Sequence, residues 1–101
     1  MYGKEPKKVC TRFANLGLIL GDEVQIIKGI TLHAIPTRVV VLHEYDKYIW
    51  LDMEFKVPHE PDRTIRTCMN KADMLVGDAA LRRVYDGKVF TGKNVGVYEW
   101  L

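Results

Sequence analysis

The residue types that most often carry chemistry, histidine and cysteine, are sparse in this chain and poorly spaced for a shared site. The sequence holds three histidines and two cysteines. They form neither a C-x-x-C pair nor an H-x₃-H pair, the spacings with which neighbouring residues build a zinc site. We therefore predict no metal site and no cofactor. The two cysteines, Cys10 and Cys68, are expected to be free thiols that are buried in the fold. We expect a cytoplasmic protein, and the cytoplasm is a reducing compartment in which disulfides are rare.

Two carboxylates one residue apart are the remaining candidates for catalysis. Asp52 and Glu54 share one face of a predicted strand, where their side chains stand about 6–7 Å apart. Such a separation would suit an acid/base pair, but an exposed strand face provides no burial that would separate their pKa values. The sequence also has no glycine-rich phosphate loop. We predict no catalytic residue and no enzymatic activity.

These carboxylates belong to the clearest structural signal in the sequence, a hairpin near its middle. Residues 38–45 are apolar and β-branched, and residues 48–57 alternate strictly between apolar and polar side chains. A period of two with one dry and one wet face is typical of a half-exposed antiparallel strand. The dry face is predicted to carry Ile49, Leu51, Met53, Phe55 and Val57.

Shorter extended segments surround this hairpin, and little of the sequence is helical in pattern. The length of 101 residues suits one small domain. We predict a mainly β fold, namely a small SH3-like, partly open barrel of five or six antiparallel strands with one or two short helical turns. A flexible basic arm is expected over residues 1–10, and the single barrel over residues 11–101.

Two family patterns overlap within residues 12–51. The run LGDEVQIIKG (residues 20–29), followed by residues 39–41 and 48–51, resembles the opening strands of KOW and other translation-type SH3-like barrels. The longer run RFANLGLILGDEVQII (residues 12–27), with Pro36 and residues 39–41, is similar to the ferrous-iron-transport accessory (FeoA-like) domain. Both resemblances imply the barrel fold. The second also implies, as one alternative, an accessory role beside a membrane transporter.

The formal net charge of +2 hides an uneven distribution of charge along the chain. Residues 41–62 contain two lysines and six acidic residues, whereas residues 1–40 and 63–101 each carry a net charge of +3. The hairpin is therefore acidic, and it is framed by two basic segments. No stretch approaches the roughly 20 apolar residues that span a bilayer, so no membrane insertion is expected.

The acidic hairpin also carries aromatic residues on its wet face, and this combination gives our leading functional hypothesis. Tyr and Trp are the residues most often found at interface hot spots. We expect a non-enzymatic protein-binding module, either an adaptor or a small inhibitor, whose partner has a basic surface. One version is an antagonist of a nucleic-acid enzyme encoded by a phage or mobile element. The expected contact residues are Tyr45, Tyr48, Trp50, Asp52 and Glu54.

Two other interpretations remain open from the sequence. In the first, residues 84–101 fold over the wet face and bury Tyr48 and Trp50 for purely structural reasons. In the second, the chain binds nucleic acid, with an affinity that falls steeply with salt. The basic residues that would serve it are Lys4, Lys7, Lys8, Arg63, Arg66, Arg82 and Arg83.

Overall fold

The computed structural model describes residues 6–101, and just under half of these form two antiparallel β-sheets. The eight strands are β1 (Lys8–Phe13), β2 (Glu23–Lys28), β3 (Arg38–Glu44), β4 (Tyr48–Phe55), β5 (Arg63–Asn70), β6 (Ala80–Arg83), β7 (Val89–Phe90) and β8 (Gly96–Trp100). A five-residue helix, α1 (Lys71–Leu75), links β5 to β6, and a 3₁₀ turn (Gly92–Val95) precedes β8.

The larger sheet has six strands in the order β5-β4-β3-β2-β6-β7, and the smaller one pairs β1 with β8. Strands β2 to β5 run as a meander, and β6 then returns to pair with β2. The larger sheet ends at β5 on one side and at β7 on the other, so it does not close into a barrel. The predicted mainly β, antiparallel fold class is confirmed. The described residues form eight strands in two sheets, however, where the prediction was one partly open barrel of five or six strands.

The central hairpin forms as its alternating pattern predicts. Along β4, Ile49, Leu51, Met53 and Phe55 are buried, while each residue between them is half-buried. The prediction is wrong for Val57, which lies beyond the end of β4 and is 44% exposed. The backbone turns back between β3 and β4 through a hydrogen bond from the Tyr45 N–H to the Tyr48 carbonyl. The dry face of β4 lies at the centre of the core, because β4 has a neighbouring strand on each side.

The core continues from this face into the short elements that follow β5 in the chain. Met74 of α1, Phe90 of β7 and Val95 at the end of the 3₁₀ turn are all fully or nearly fully buried. Gly29 allows the chain to pass closely over Ala79. A Cβ on this glycine would stand 2.4 Å from the Ala79 Cβ, and its φ of +103° already disfavours other residues.

The N-terminal segment differs from its prediction. Residues 1–5 lie outside the described residues, but Lys8 already begins β1, so the expected flexible arm over residues 1–10 does not extend to Cys10. The reason is a pairing at long range, since β1 takes β8 as its partner from the far end of the chain. The residues in and around β1 do not by themselves predict that β8 is its partner.

Candidate functional site

Four aromatic rings form a continuous row on the outer face of the β3–β4 hairpin. His43 and Tyr45 lie 4.3 Å apart between ring centroids, Tyr45 and Tyr48 lie 4.9 Å apart, and Tyr48 and Trp50 lie 6.5 Å apart. We call these four residues the aromatic strip. Its members are exposed on β3 and the turn, and half-buried on β4. Two of its residues, Tyr48 and Trp50, are on the face predicted from the alternation of β4.

A β-bulge brings the other two rings to the same face. The register between β3 and β4 shifts between Val41 and His43, so that His43 is opposite Trp50. Before the bulge the odd-numbered residue Val41 points into the core, and after it His43 and Tyr45 point outward while Glu44 turns inward. The sequence does not predict this bulge. Residues 39–42 are all apolar, so there is no alternation of apolar and polar side chains whose interruption would reveal a bulge.

The aromatic strip borders an open groove of about 360 Å³. His43, Tyr45 and Trp50 line it together with Leu20, Leu42 and Arg66. Leu20 is 74% exposed. Sequence reasoning missed Leu20, because it precedes β2 and reaches the groove only through the fold. It missed Leu42 and His43, because their placement depends on the bulge in β3.

The C-terminal segment does not cover these rings. Strand β8 pairs with β1 in the smaller sheet, and the groove has no lining residue from 84–101. The interpretation in which this segment buries Tyr48 and Trp50 therefore does not hold. The indole Nε1 of Trp50 is nevertheless enclosed by its neighbours, and it has no hydrogen-bond partner among residues 6–101.

The acidic character expected of this face is largely cancelled by neighbouring strands. Asp52 Oδ1 lies 3.2 Å from the Nε of Arg66, directly across on β5, and the same guanidinium stands 5.8 Å from the Trp50 ring. Glu54 lies opposite Arg38 on β3, and Arg38 is also bridged to Glu23. The aromatic rings of the predicted acidic, aromatic patch thus lie on the outer face as predicted. Its carboxylates, by contrast, face basic residues of β3 and β5.

A third acidic residue of the hairpin, Glu44, is removed from the surface altogether. Its carboxylate accepts hydrogen bonds from the Leu16 and Leu18 N–H groups at 2.7 and 3.0 Å and from the Lys71 Nζ at 2.6 Å. Lys71 also donates to the Ala14 carbonyl at 2.9 Å. The pair thereby fastens the segment between β1 and β2 onto the larger sheet.

The charges of this pair are nearly inaccessible to solvent. The side chains of Lys71 and Glu44 are 2% and 5% exposed. Burial opposes the charged carboxylate, but the hydrogen bonds from Leu16, Lys71 and Leu18 outweigh it and lower the pKa of Glu44 below its ordinary value. Sequence reasoning missed this pair, since an isolated lysine beside a short helix is ordinarily a surface residue.

The basic residues expected to bind nucleic acid do not converge on one surface. Arg63 and Arg66 lie on β5 at one edge of the larger sheet, whereas Arg82 lies on β6, near the other edge. Arg83 is buried and holds Asp86 through two hydrogen bonds of 2.7 and 3.1 Å, which lower the pKa of that carboxyl to about 2. Lys7 and Lys8 are exposed in or beside β1, where the Lys8 Nζ stands 5.0 Å from the Trp100 ring. Lys4 lies outside the described residues.

The thiols and the metal-ligating side chains form no site in residues 6–101. Cys10 and Cys68 are both free, as predicted, but both are exposed, so the prediction of buried thiols is wrong. Cys68 shares the outward face with Trp50, opposite it on β4, and Cys10 lies at an exposed position of β1. Across the described residues, no three His, Cys, Asp or Glu side chains are grouped closely enough to hold a metal ion. Nor does this part of the chain contain a helix long and apolar enough to cross a bilayer.

Two other depressions differ from the groove in chemistry. One of about 450 Å³ lies over the Glu44–Lys71 pair, whose polar groups already satisfy one another. Another of about 440 Å³ opens where β2 and β3 diverge, and its walls are mainly aliphatic. Neither contains more than one residue of the aromatic strip.

Comparison with known proteins does not narrow the choice among these surfaces. The chain matches no protein-family model, no curated protein and no solved structure. The functional argument therefore depends on the geometry of the aromatic strip and its surroundings.

Proposed function

We propose that this chain is a non-enzymatic protein-binding module whose contact surface is the aromatic strip with the adjoining groove. The observation that carries the proposal is the continuous row of four rings on an outward sheet face, beside an exposed leucine. Tyrosine and tryptophan supply large contact area with few rotatable bonds, which is why they dominate the energetics of many protein interfaces.

The shape of the groove suggests what the partner contributes. Leu20, Leu42 and Trp50 are among the residues that line it, so the groove suits an apolar side chain of the partner. Because Arg66 balances Asp52, the surface offers a basic partner less attraction than the sequence predicts. Both an adaptor and an inhibitor would use such a surface.

Nucleic acid is a weaker candidate for the same strip. Rings on a sheet can stack on bases, but affinity for single strands also needs a basic groove that follows the phosphates. Here the arginine nearest to the rings is paired with a carboxylate, and the remaining basic residues are dispersed over both sheets.

The test is a pull-down that compares two tryptophan variants of the full chain. Tagged wild type, Trp50→Ala and Trp100→Ala are exposed to lysate of the source cells, with and without nuclease, and retained proteins are quantified by mass spectrometry. Trp100 is the control for loss of a tryptophan, because it is exposed and belongs to the smaller sheet, away from the aromatic strip. Circular dichroism establishes that each variant is folded.

The expected result is one or a few proteins that are retained after nuclease treatment by wild type and Trp100→Ala, and lost with Trp50→Ala. Retention that disappears with nuclease would instead assign the surface to nucleic acid. Proteins retained equally by folded Trp50→Ala would show that the aromatic strip is not the contact surface.

A further inference from the structure

The larger sheet has one edge that is long and open. Strand β5 has eight residues, all paired with β4, and no strand of the described chain pairs with its other side. The opposite edge strand, β7, has only two residues. A long unpaired edge presents a row of N–H and C=O groups on which another strand can form, and sheets usually shorten, bend or cover such edges.

Strand β5 lacks three of the common protective features, since it is not short, bulged or interrupted by proline; its only one is the charge of two arginines. Register shifts interrupt the pairings of β1 with β8, β2 with β6, and β3 with β4. By contrast, the pairing of β4 with β5 runs without a shift from Tyr48 and Asn70 to Phe55 and Arg63. Residues 63–70 contain no proline. The edge of β5 is therefore regular over about 26 Å, at about 3.3 Å per residue.

The direction of the free backbone groups follows from one hydrogen bond. The Lys71 N–H donates to the Lys47 carbonyl, just beyond the paired ends of β4 and β5. Backbone groups alternate between the two sides of a strand. Odd-numbered residues of β5 therefore bond to β4, while the N–H and C=O groups of Thr64, Arg66, Cys68 and Asn70 point toward the open edge.

The charges beside this edge determine what kind of strand suits it. Strand β5 carries Arg63 and Arg66 and no acidic residue. The two arginines lie on opposite faces, because they are three residues apart in a strand. Pairing with the β5 of a second copy would place these like charges close together, and like charges across strands are destabilising. An acidic strand would meet the charge of Arg63 on one face and, on the other, the Arg66 guanidinium, which it would share with Asp52.

We propose that the partner inserts an extended acidic segment beside β5 as an additional antiparallel strand. The inference rests on the proposed protein-binding function and specifies how the partner is held. The segment's backbone bonds the free groups of β5, and two carboxylates three residues apart face Arg63 and Arg66. The segment's side chains on the outer face of the sheet extend toward Trp50, which lies opposite Cys68 on the next strand. The edge of β5 and the aromatic strip therefore form one continuous contact surface.

The probe is a capped peptide of sequence TVEVTEVT, whose glutamates have the required spacing. Its control is TVKVTKVT. Each is titrated into the full chain labelled with ¹⁵N, and amide shifts are followed by NMR. The expected shifts are largest at Thr64, Arg66, Cys68 and Asn70, and the lysine peptide is expected to bind about tenfold more weakly, from the reversal of two cross-strand charge pairs.

A proline substitution tests the backbone contribution separately. Cys68→Pro removes an N–H that points to the open edge and leaves the bonds to β4 in place, which proline tolerates on an edge strand. Cys68→Ala is the matched control. Peptide binding is expected to be lost in Cys68→Pro and kept in Cys68→Ala. Arg63→Glu, which leaves the backbone intact, provides the independent test if the proline variant does not fold, and it should abolish the preference for the glutamate peptide.

Three results would overturn the inference. The first is the absence of amide shifts at millimolar peptide, the second is equal binding of both peptides, and the third is a dimer of the protein alone that forms through β5. The pull-down keeps this inference distinct from the proposed function. Partners lost with Trp50→Ala but retained by folded Arg63→Glu and Cys68→Pro would leave the aromatic strip as the contact surface and eliminate the role of β5.

Discussion

Glu44 and Asp52 belong to the same hairpin, and each faces a basic residue from beyond it, yet they have opposite roles. Glu44 is buried with Lys71 and binds three N–H donors. Asp52 meets Arg66 at the surface, where the Arg66 side chain is 59% exposed. The first pair fastens one part of the chain to another, and the second cancels a charge beside the aromatic strip.

The difference between the pairs arises from the bulge in β3. It turns Glu44 inward, whereas the uninterrupted alternation of β4 keeps Asp52 outward. In the interior, removal of one partner leaves the other as an unpaired charge in a medium of low dielectric, which is strongly destabilising. At the surface, water replaces the lost partner. Loss of the ion pair is therefore expected to lower the free energy of unfolding much more at Glu44 than at Asp52.

The largest expected effect comes from breaking the buried pair. Glu44→Ala leaves Lys71 buried without its carboxylate and leaves two backbone N–H groups without their acceptor. We expect the free energy of unfolding to fall by about 3–5 kcal/mol, measured by urea unfolding monitored through tryptophan fluorescence. A loss below about 1 kcal/mol would mean that the segment between β1 and β2 is held by its apolar contacts instead.

Acid should weaken the same connection without a mutation. The pKa of Glu44 is below its ordinary value of 4.5 in the folded chain. Its carboxylate therefore contributes stability that is complete above that value and is lost as the pH falls through the lower folded pKa. Asp86, with a pKa of about 2, acts in the same direction.

Urea unfolding from neutral pH down to about pH 2 tests this dependence. Wild type is expected to lose stability below the ordinary pKa of Glu44. Glu44→Ala should show a shallower fall, retaining mainly the part due to Asp86 and other carboxylates. Parallel pH profiles for the two proteins would contradict the role assigned to Glu44.

The smallest effect is expected at the surface pair. Asp52→Asn and Arg66→Gln should each change the free energy of unfolding by less than about 1 kcal/mol, because the Arg66 side chain is 59% exposed and the Asp52 side chain, 18% exposed, keeps access to water when the contact is lost. The same urea measurement applies, and raising the salt concentration should reduce the wild-type advantage further. A loss comparable to that of Glu44→Ala would show that Asp52 is also a structural anchor.

Prediction from sequence succeeded where structure follows from local alternation. The dry and wet faces of β4 and the hairpin turn are present as predicted, because a period of two specifies which side chains face the core. It failed at Cys10, where β1 takes its partner from the other end of the chain. Nor could it show that Arg66 contacts Asp52 and that Arg38 lies opposite Glu54, since both arginines come from neighbouring strands.

The sequence by itself determined the mainly β class, the central hairpin and the outward placement of Tyr48 and Trp50, since these follow from residues adjacent in the chain. Only the tertiary structure decided that His43 and Tyr45 join those rings, that Glu44 meets Lys71 in the interior, and that β5 keeps an open edge. Each of these depends on a register shift or on a contact between residues distant in sequence. Such contacts are set by packing of the whole sheet, which no short stretch of sequence encodes.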